Sequence, residues 1–285
     1  KRGPAGGARL PQRRPQRKSD DWIARLRSHP PDVVMGPNLA WGGVRQHIHA
    51  IKQYSSLRVE LVPPDALLGE FYGDLRQEFL DCLPGDIRVV HSHVLPWFID
   101  WCKRQQESGV RWVHTYHNMY WPEFAEGDLL PWQKGVNHAI LNDARRADVR
   151  ISVSRWQQGY LAKTHGIDTL YLPNGVDVAL CDQADAKGFR RQVGDDRFVL
   201  YAGRNDPVKN PADFVRLTAR LPSQRFVMLG HGLSNEILHD EWGVDVPPNL
   251  LVQGGRVSPR CAKRRCCRFR VGGHQQARGS ADPGV

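Results

Sequence analysis

Six short apolar runs of strand length recur between residues 32 and 173, separated by stretches long enough for helices, and this alternation constrains the fold more than any other feature. The runs are "DVVMG" (32–36), "RVELV" (58–62), "IRVVHSH" (87–93), "RWVHTYH" (111–117), "VRISVS" (149–154) and "TLYLP" (169–173), with helix-length segments such as 43–55 and 133–146 between them. Near-continuous β-branched runs belong to strands buried on both faces, which in a βα alternation means a parallel sheet covered by helices. The pattern then restarts. "RFVLYAGR" (197–204) reads as a strand, "NPADFVRLTARLP" (210–222) as a helix opened by Pro211, and "RFVMLGHG" (225–232) and "NLLVQGG" (249–255) as two more strands around the segment 234–242. The expected fold class is α/β, with two tandem Rossmann-like domains joined near "PNGVD" (173–177), the second incomplete. The expected organisation is a basic disordered arm over 1–30, a first domain over 31–176, a partial second domain over 177–257 and a basic tail over 258–285.

The formal net charge of +10 does not make this a nucleic-acid binder, because the two ends carry all of it. Residues 1–18 hold seven Lys/Arg and no acid, and residues 256–285 hold eight against the single Asp282, which leaves 25 basic and 29 acidic residues in between, a net of −4. A nucleic-acid interface carries its cations on the folded surface that docks. The first stretch, rich in Pro, Gly and Arg, lacks the apolar core of a signal peptide, and no run approaches the roughly 18 apolar residues of a membrane span. The expected location is cytoplasmic, with at most peripheral membrane contact through a solvated arm. Because Lys1 is not Met, the sequence is expected to begin inside a longer product. Six cysteines, three in the body (Cys82, Cys102, Cys181) and three in the tail (Cys261, Cys266, Cys267), form no disulfide framework.

Ligands of open parallel sheets sit at the carboxyl ends of the strands, so the residues there are the candidates. After the first run, Gly42 and Gly43 precede a helix, and their amides can face an anion. His117 ends the fourth run with Asn118 beside it; it can donate a hydrogen bond or a proton, or it is a loop histidine satisfied by backbone. In "AGRNDPVKN", Arg204 and Lys209 lie five apart across a turn that opens a helix, either a diphosphate clamp or two exposed surface cations. Gly230 and Gly232 in "LGHG" form a second glycine turn.

The order of these pieces, "WGGVRQH", "VVHSH", "VHTYHN", "ADVRISVS", "LPNGVD", "AGRNDPVKN" and "MLGHG", resembles family 4 (group 1) of the retaining glycosyltransferases with the GT-B fold, over residues 32–254. The resemblance implies a hexosyltransferase-type enzyme with a nucleotide-sugar donor held mainly by the second domain and an acceptor, small molecule, lipid or polysaccharide, mainly by the first. It implies that Arg204 and Lys209 hold the donor diphosphate, that His117 contacts the transferred sugar, that Gly43 lets the first-domain loop approach the phosphates, and that Gly42, Gly230 and Gly232 shape the donor site. No cofactor and no metal are expected, and the chain contains no D-x-D pair.

The family's E-x7-E motif is missing, since no glutamate follows Glu241. The family usually places that motif within S-x-x-E-G-x-P, and the tail codons read one nucleotide forward permit "VVTSKREGLPTLV", which carries this Ser, Glu, Gly and Pro spacing, so a frame slip near 258–260 and a chain inactive in transfer are expected. A zinc site from Cys261, Cys266, Cys267 and His274 lacks the paired C-x2-C spacing. The alternative function is a non-catalytic nucleotide-binding remnant of such an enzyme.

Overall fold

The computed structural model describes residues 18–40, 42–68, 80, 83, 86–117, 119–121, 128–194 and 196–254. The expectations for the tail over 258–285, including its three cysteines, fall outside these residues. The chain divides into two compact units, Lys1–Val176 and Asp177–Val285.

The first unit is built on a six-stranded parallel sheet in the order β2-β1-β3-β4-β5-β6. Its strands are β1 (Val33–Gly36), β2 (Val59–Leu61), β3 (Val89–Ser92), β4 (Arg111–Tyr116), β5 (Val149–Ser152) and β6 (Leu170–Tyr171). Each falls inside one of the six apolar runs. Every residue of β1 is buried, whereas the edge strand β6 has none, the gradient expected when both faces of the sheet centre are covered. The chain leaves β1 through helix α2 (Gly43–Tyr54) to reach β2, then crosses to β3 on the other side of β1. That reversal is the switch point at which ligands of such sheets are held.

The helices bury one stripe each. Helix α2 lays Val44, Ile48 and Ile51 on Val33, Met35, Val59 and Leu61. Helix α3 (Pro96–Glu107) has Pro96 in its first turn, where the missing N–H costs nothing, and buries Phe98, Ile99, Trp101 and Cys102. Each fully buried apolar side chain of this size stabilises the fold by about 1.5–3 kcal/mol. Helices α4 (Pro131–His138) and α5 (Arg155–His165) complete the cover, and α5 runs from a Ser154 cap to Gly166, whose left-handed φ of 62° ends it. At the amino ends of the strands, Asp32 accepts from the Arg58 amide at 2.9 Å and from Arg88 Nη2 at 2.5 Å. These bonds, the Arg58 backbone first, hold its carboxyl well below the usual carboxylate range.

One expectation is corrected. Residues 18–28 of the supposed disordered arm form helix α1 (Lys18–Ser28). Its Trp22 and Leu26 are buried in the main core of the unit, and Trp22 Nε1 donates to Glu60 Oε1 at 2.5 Å. The basic residues that made the segment look like a solvated arm hide an apolar pair four apart, one face of a helix.

The second unit begins with α6 (Val178–Asp182) and α7 (Lys187–Val193), followed by a parallel sheet β7-β8-β9 of β7 (Val199–Ala202), β8 (Phe226–Gly230) and β9 (Leu250–Gly254). Helices α8 (Pro211–Arg220) and α9 (Asn235–Trp242) connect them. Its core is Ala212, Val215, Phe226, Met228, Leu233, Leu238, Val244 and Leu250. Among the described residues this sheet has three strands, those expected. No helix among the described residues is long and apolar enough to cross a membrane.

Candidate active site

In the first unit the carboxyl ends of β3 and β4 carry a cluster of imidazoles, and the period of the strands explains how. Residues two apart on a strand share a face, and His91 is paired with Val113 and Ser92 with His114. His91, His93, Thr115 and His117 therefore fall on one face, and Ser92 and His114 on the other. On the first face His91 Nε2 lies 2.8 Å from Thr115 Oγ1, and His93 Nδ1 lies 3.1 Å from His117 Nε2. Behind the sheet, Trp112 Nε1 donates to Ser92 Oγ, which meets His114 Nδ1, both at 2.8 Å.

Helix α2 adds a fourth side chain to the first face. His47 precedes the core residue Ile48, so it points to the half-buried edge of the helix stripe, where its ring centroid lies 4.6 Å from that of His117 and 5.7 Å from that of His93. The nitrogens of His47, His93 and His117 that could bind a metal all lie within 4.8 Å of one another. Burial, aided by neighbouring imidazoles, pushes His91 down to about 3 and His93 far below its ordinary value. Burial and then the neighbouring His47 take His117 down to about 3, and burial lowers His47 against a hydrogen bond to Asn174. These rings are neutral at neutral pH. His47 Nε2 and His93 Nε2 are buried without a hydrogen-bond partner.

Gly42 and Gly43 lie where α2 begins. Gly42 takes a φ of 105° that a side chain rarely adopts, no side chain caps the helix, and a β-carbon on either glycine would meet nothing within 4 Å. Space is thus open beside the α-carbons of both glycines where α2 begins. Beside them Asn38, fully buried, donates to Pro63 O at 2.9 Å and Asp65 Oδ1 at 3.0 Å, and Arg45 Nη1 donates to Asn38 Oδ1 at 2.9 Å and Asp65 Oδ1 at 3.0 Å. Burial raises the Asp65 carboxyl, but the bonds from Arg45 and Asn38 outweigh it and leave it below its ordinary value.

In the second unit Arg204 stands just past the end of β7, with Nε donating to Asp206 Oδ2 at 2.6 Å. Asp206 also caps the short turn Pro207–Lys209 through the Val208 amide, so one carboxylate fixes both the loop and the guanidinium. Lys209 is exposed, and among the described residues no carboxylate lies within ion-pair distance of it. Asn210, at φ 43°, caps α8 by accepting from the Asp213 amide. Asn205 ties this loop to α9, donating to Glu241 Oε2 at 2.6 Å and accepting from Trp242 Nε1 at 2.7 Å. The two glycines of "LGHG" differ. Gly232 has a φ of 72°, which its turn requires, whereas a β-carbon on Gly230 would overlap the Gly203 carbonyl oxygen and lie 2.6 Å from Leu233 Cδ1. Gly230 thus has a packing reason to be glycine whatever it binds.

The structure therefore gathers His117 with the α2 start that carries Gly42 and Gly43, and separately gathers Arg204, Lys209, Gly230 and Gly232 at the ends of β7 and β8. His47 and His93 belong to the first group and escaped the sequence reading. The repeated His-x-His of "HSH", set against the "HTYH" of a neighbouring strand, was the signal that could have found His93.

Residues 27–180 match the family model described as Glycosyltransferase Family 4. The chain is similar to D-inositol 3-phosphate glycosyltransferases: 31% identical over 158 residues to that of Mycobacteroides abscessus, covering 52% of this chain and 35% of that protein, and 28% identical over 159 residues to that of Mycobacterium bovis, covering 52% and 32%. The match thus spans about a third of the length of these curated relatives. Among solved structures, a sucrose-phosphate synthase from Thermosynechococcus elongatus superposes with a TM-score of 0.52 at 17% identity, over 78% of this chain and 69% of that one. That likeness concerns the fold, and it agrees with the GT-B arrangement of Rossmann-like domains.

Proposed function

The chain belongs to glycosyltransferase family 4, and from that premise we propose that it serves the transfer of a sugar from a nucleotide-sugar donor to an acceptor with retention of configuration, its second unit holding the donor and its first the acceptor. The observation that carries this reading is the family match over residues 27–180. Arg204 and Lys209 would hold the donor diphosphate. Two cations at a strand end ahead of a helix neutralise the charge that builds on a leaving diphosphate as the glycosidic bond loosens, a contribution that grows where water is excluded. His117, kept neutral by burial, would offer one N–H to the transferred sugar without adding a charge. The open helix start at Gly42 and Gly43 would let anionic oxygens reach backbone amides. The relatives act, by their name, on D-inositol 3-phosphate, so a polyol phosphate is the acceptor class to try first.

Calorimetry with UDP, GDP and ADP tests the donor half. Arg204→Ala and Lys209→Ala should each weaken nucleoside diphosphate binding by about tenfold or more, the scale of a hydrogen bond to a charged group. Equal affinity in the parent and both variants would return the two residues to the surface. Since no glutamate follows Glu241, the proposal includes that this 285-residue chain binds nucleotide without completing transfer. Turnover of a labelled sugar by it would refute that part.

A further inference from the structure

We propose that His47, His93 and His117 form a binding site for a single borderline divalent cation, of which zinc is the best match to three imidazoles. The inference rests on the first unit alone and is independent of the sugar-transfer reading.

Three observations carry it. The first is convergence: a helix and two neighbouring strand ends bring three imidazoles together with their nitrogens within 4.8 Å of one another, and no Asp or Glu belongs to that group to favour a hard ion. The second is spacing. His93 Nδ1 and His117 Nε2 are 3.1 Å apart, and a zinc ion about 2.0–2.1 Å from each would see them at about 100°, close to a tetrahedral angle. The edge of such a site is about 3.3 Å, so loading draws the half-buried His47 side chain inward from α2 against its hydrogen bond to Asn174. The third is unused bonding capacity: His47 Nε2 is buried with no partner, and such a group costs free energy unless something satisfies it. Burial also keeps all three rings deprotonated, the form that binds metal. His91, its ring tilted against that of His93 with centroids 4.5 Å apart and its Nε2 2.8 Å from Thr115 Oγ1, backs the site. Three protein ligands leave a fourth position for water or a ligand oxygen. Because His117 is also the residue expected to touch the transferred sugar, metal and sugar would compete for one imidazole.

The test is titration of the full chain with Zn2+ and with Co2+ at neutral pH. We expect one tightly held equivalent, a Co2+ spectrum with visible bands of a low-coordinate nitrogen site, and no thiolate charge-transfer band. His47→Ala and His117→Ala, both at half-buried positions, should each lower affinity by at least about tenfold, with metal-free unfolding midpoints measured to establish that they fold. The triple variant Cys261→Ser, Cys266→Ser, Cys267→Ser should bind as the parent does. Failure of the parent to bind, unchanged binding in folded His47→Ala and His117→Ala, or loss of binding in the triple variant would each overturn the site. Loss of binding in the two histidine variants leaves nucleoside diphosphate binding through Arg204 and Lys209 untouched, so the two readings stand or fall separately.

Discussion

Replacing Gly230 by alanine should unfold the second unit far more readily than any role in donor contact would explain. The added methyl overlaps the Gly203 carbonyl oxygen and lies 2.6 Å from Leu233 Cδ1. To restore van der Waals separation the Gly203 segment must retreat by at least about 1 Å. That segment is pinned by Gly203 N donating to Leu229 O and Asn205 N donating to His231 O, both at 2.9 Å. Overpacking of a tight interior typically costs about 1–3 kcal/mol, and each strained or broken backbone bond adds about 0.5–1.5 kcal/mol. The sum over the two bonds is about 2–6 kcal/mol, which for a unit of this size lowers the unfolding midpoint by about 10 °C or more. Trp242 is the single tryptophan of the second unit among the nine of the chain, and its indole donates to Asn205, so the part of the emission change in urea or heat that Trp242→Phe removes reports on this loop. Gly43→Ala is the counterpart, with open space around the new methyl; it should leave stability within about 1 kcal/mol while impairing any ligand that approaches the α2 amides. A Gly230→Ala protein melting within about 2 °C of the parent would refute the packing argument, and a destabilised Gly43→Ala would refute its counterpart.

Two further outcomes follow from buried groups. His91 is buried and held down to about 3, so the unfolded chain takes up its proton near the ordinary value of about 6.5 while the folded chain does not. Stability is then fully present above about pH 7 and falls as pH drops through 6.5 towards 3, by about 2 kcal/mol between pH 7 and 5 for His91 alone. Urea unfolding with chelator present should show that slope in the parent and a slope smaller by about that amount in His91→Gln; identical slopes would refute it. Trp22→Ala removes a buried indole and its bond to Glu60 and should cost about 3–5 kcal/mol, read as a loss of midpoint in thermal unfolding; a change under about 1 kcal/mol would mean that α1 is an ornament of the first unit.

All nine strands among the described residues were legible because each is a bounded apolar run. The α8 and α9 helices were legible because Pro211 and Ser234 mark their starts. Helix α1 was not, since the arginines and lysines around Trp22 and Leu26 dominate the composition of the first thirty residues. The long helix expected over 133–146 breaks into α4, a π turn over Ala139–Asp143 and a 3-10 turn over Ala144–Arg146; its apolar stripe survives these changes of pitch, so the pattern could not report them. Within the site, His117 was visible as a strand-end residue. His93 and His47 were not, because their meaning depends on which strands lie side by side and on how α2 rotates, both set by tertiary packing. The pairing of Arg204 with Asp206 was equally hidden, although the two are only two residues apart, since nothing in the sequence tells which way a loop carboxylate turns.

The two faces of β3 and β4 carry histidines of opposite kinds, His93 and His117 beside α2 and His114 locked behind the sheet by Ser92. Deleting or inserting one residue within either strand would exchange the faces, bringing the locked kind forward and sending the free kind into the core. A change of two residues would restore the order at the expense only of strand length. Over descent, these strands should therefore tolerate substitution at many positions yet resist single-residue length changes, and their lengths should be among the most conservative quantities in relatives that keep the cluster.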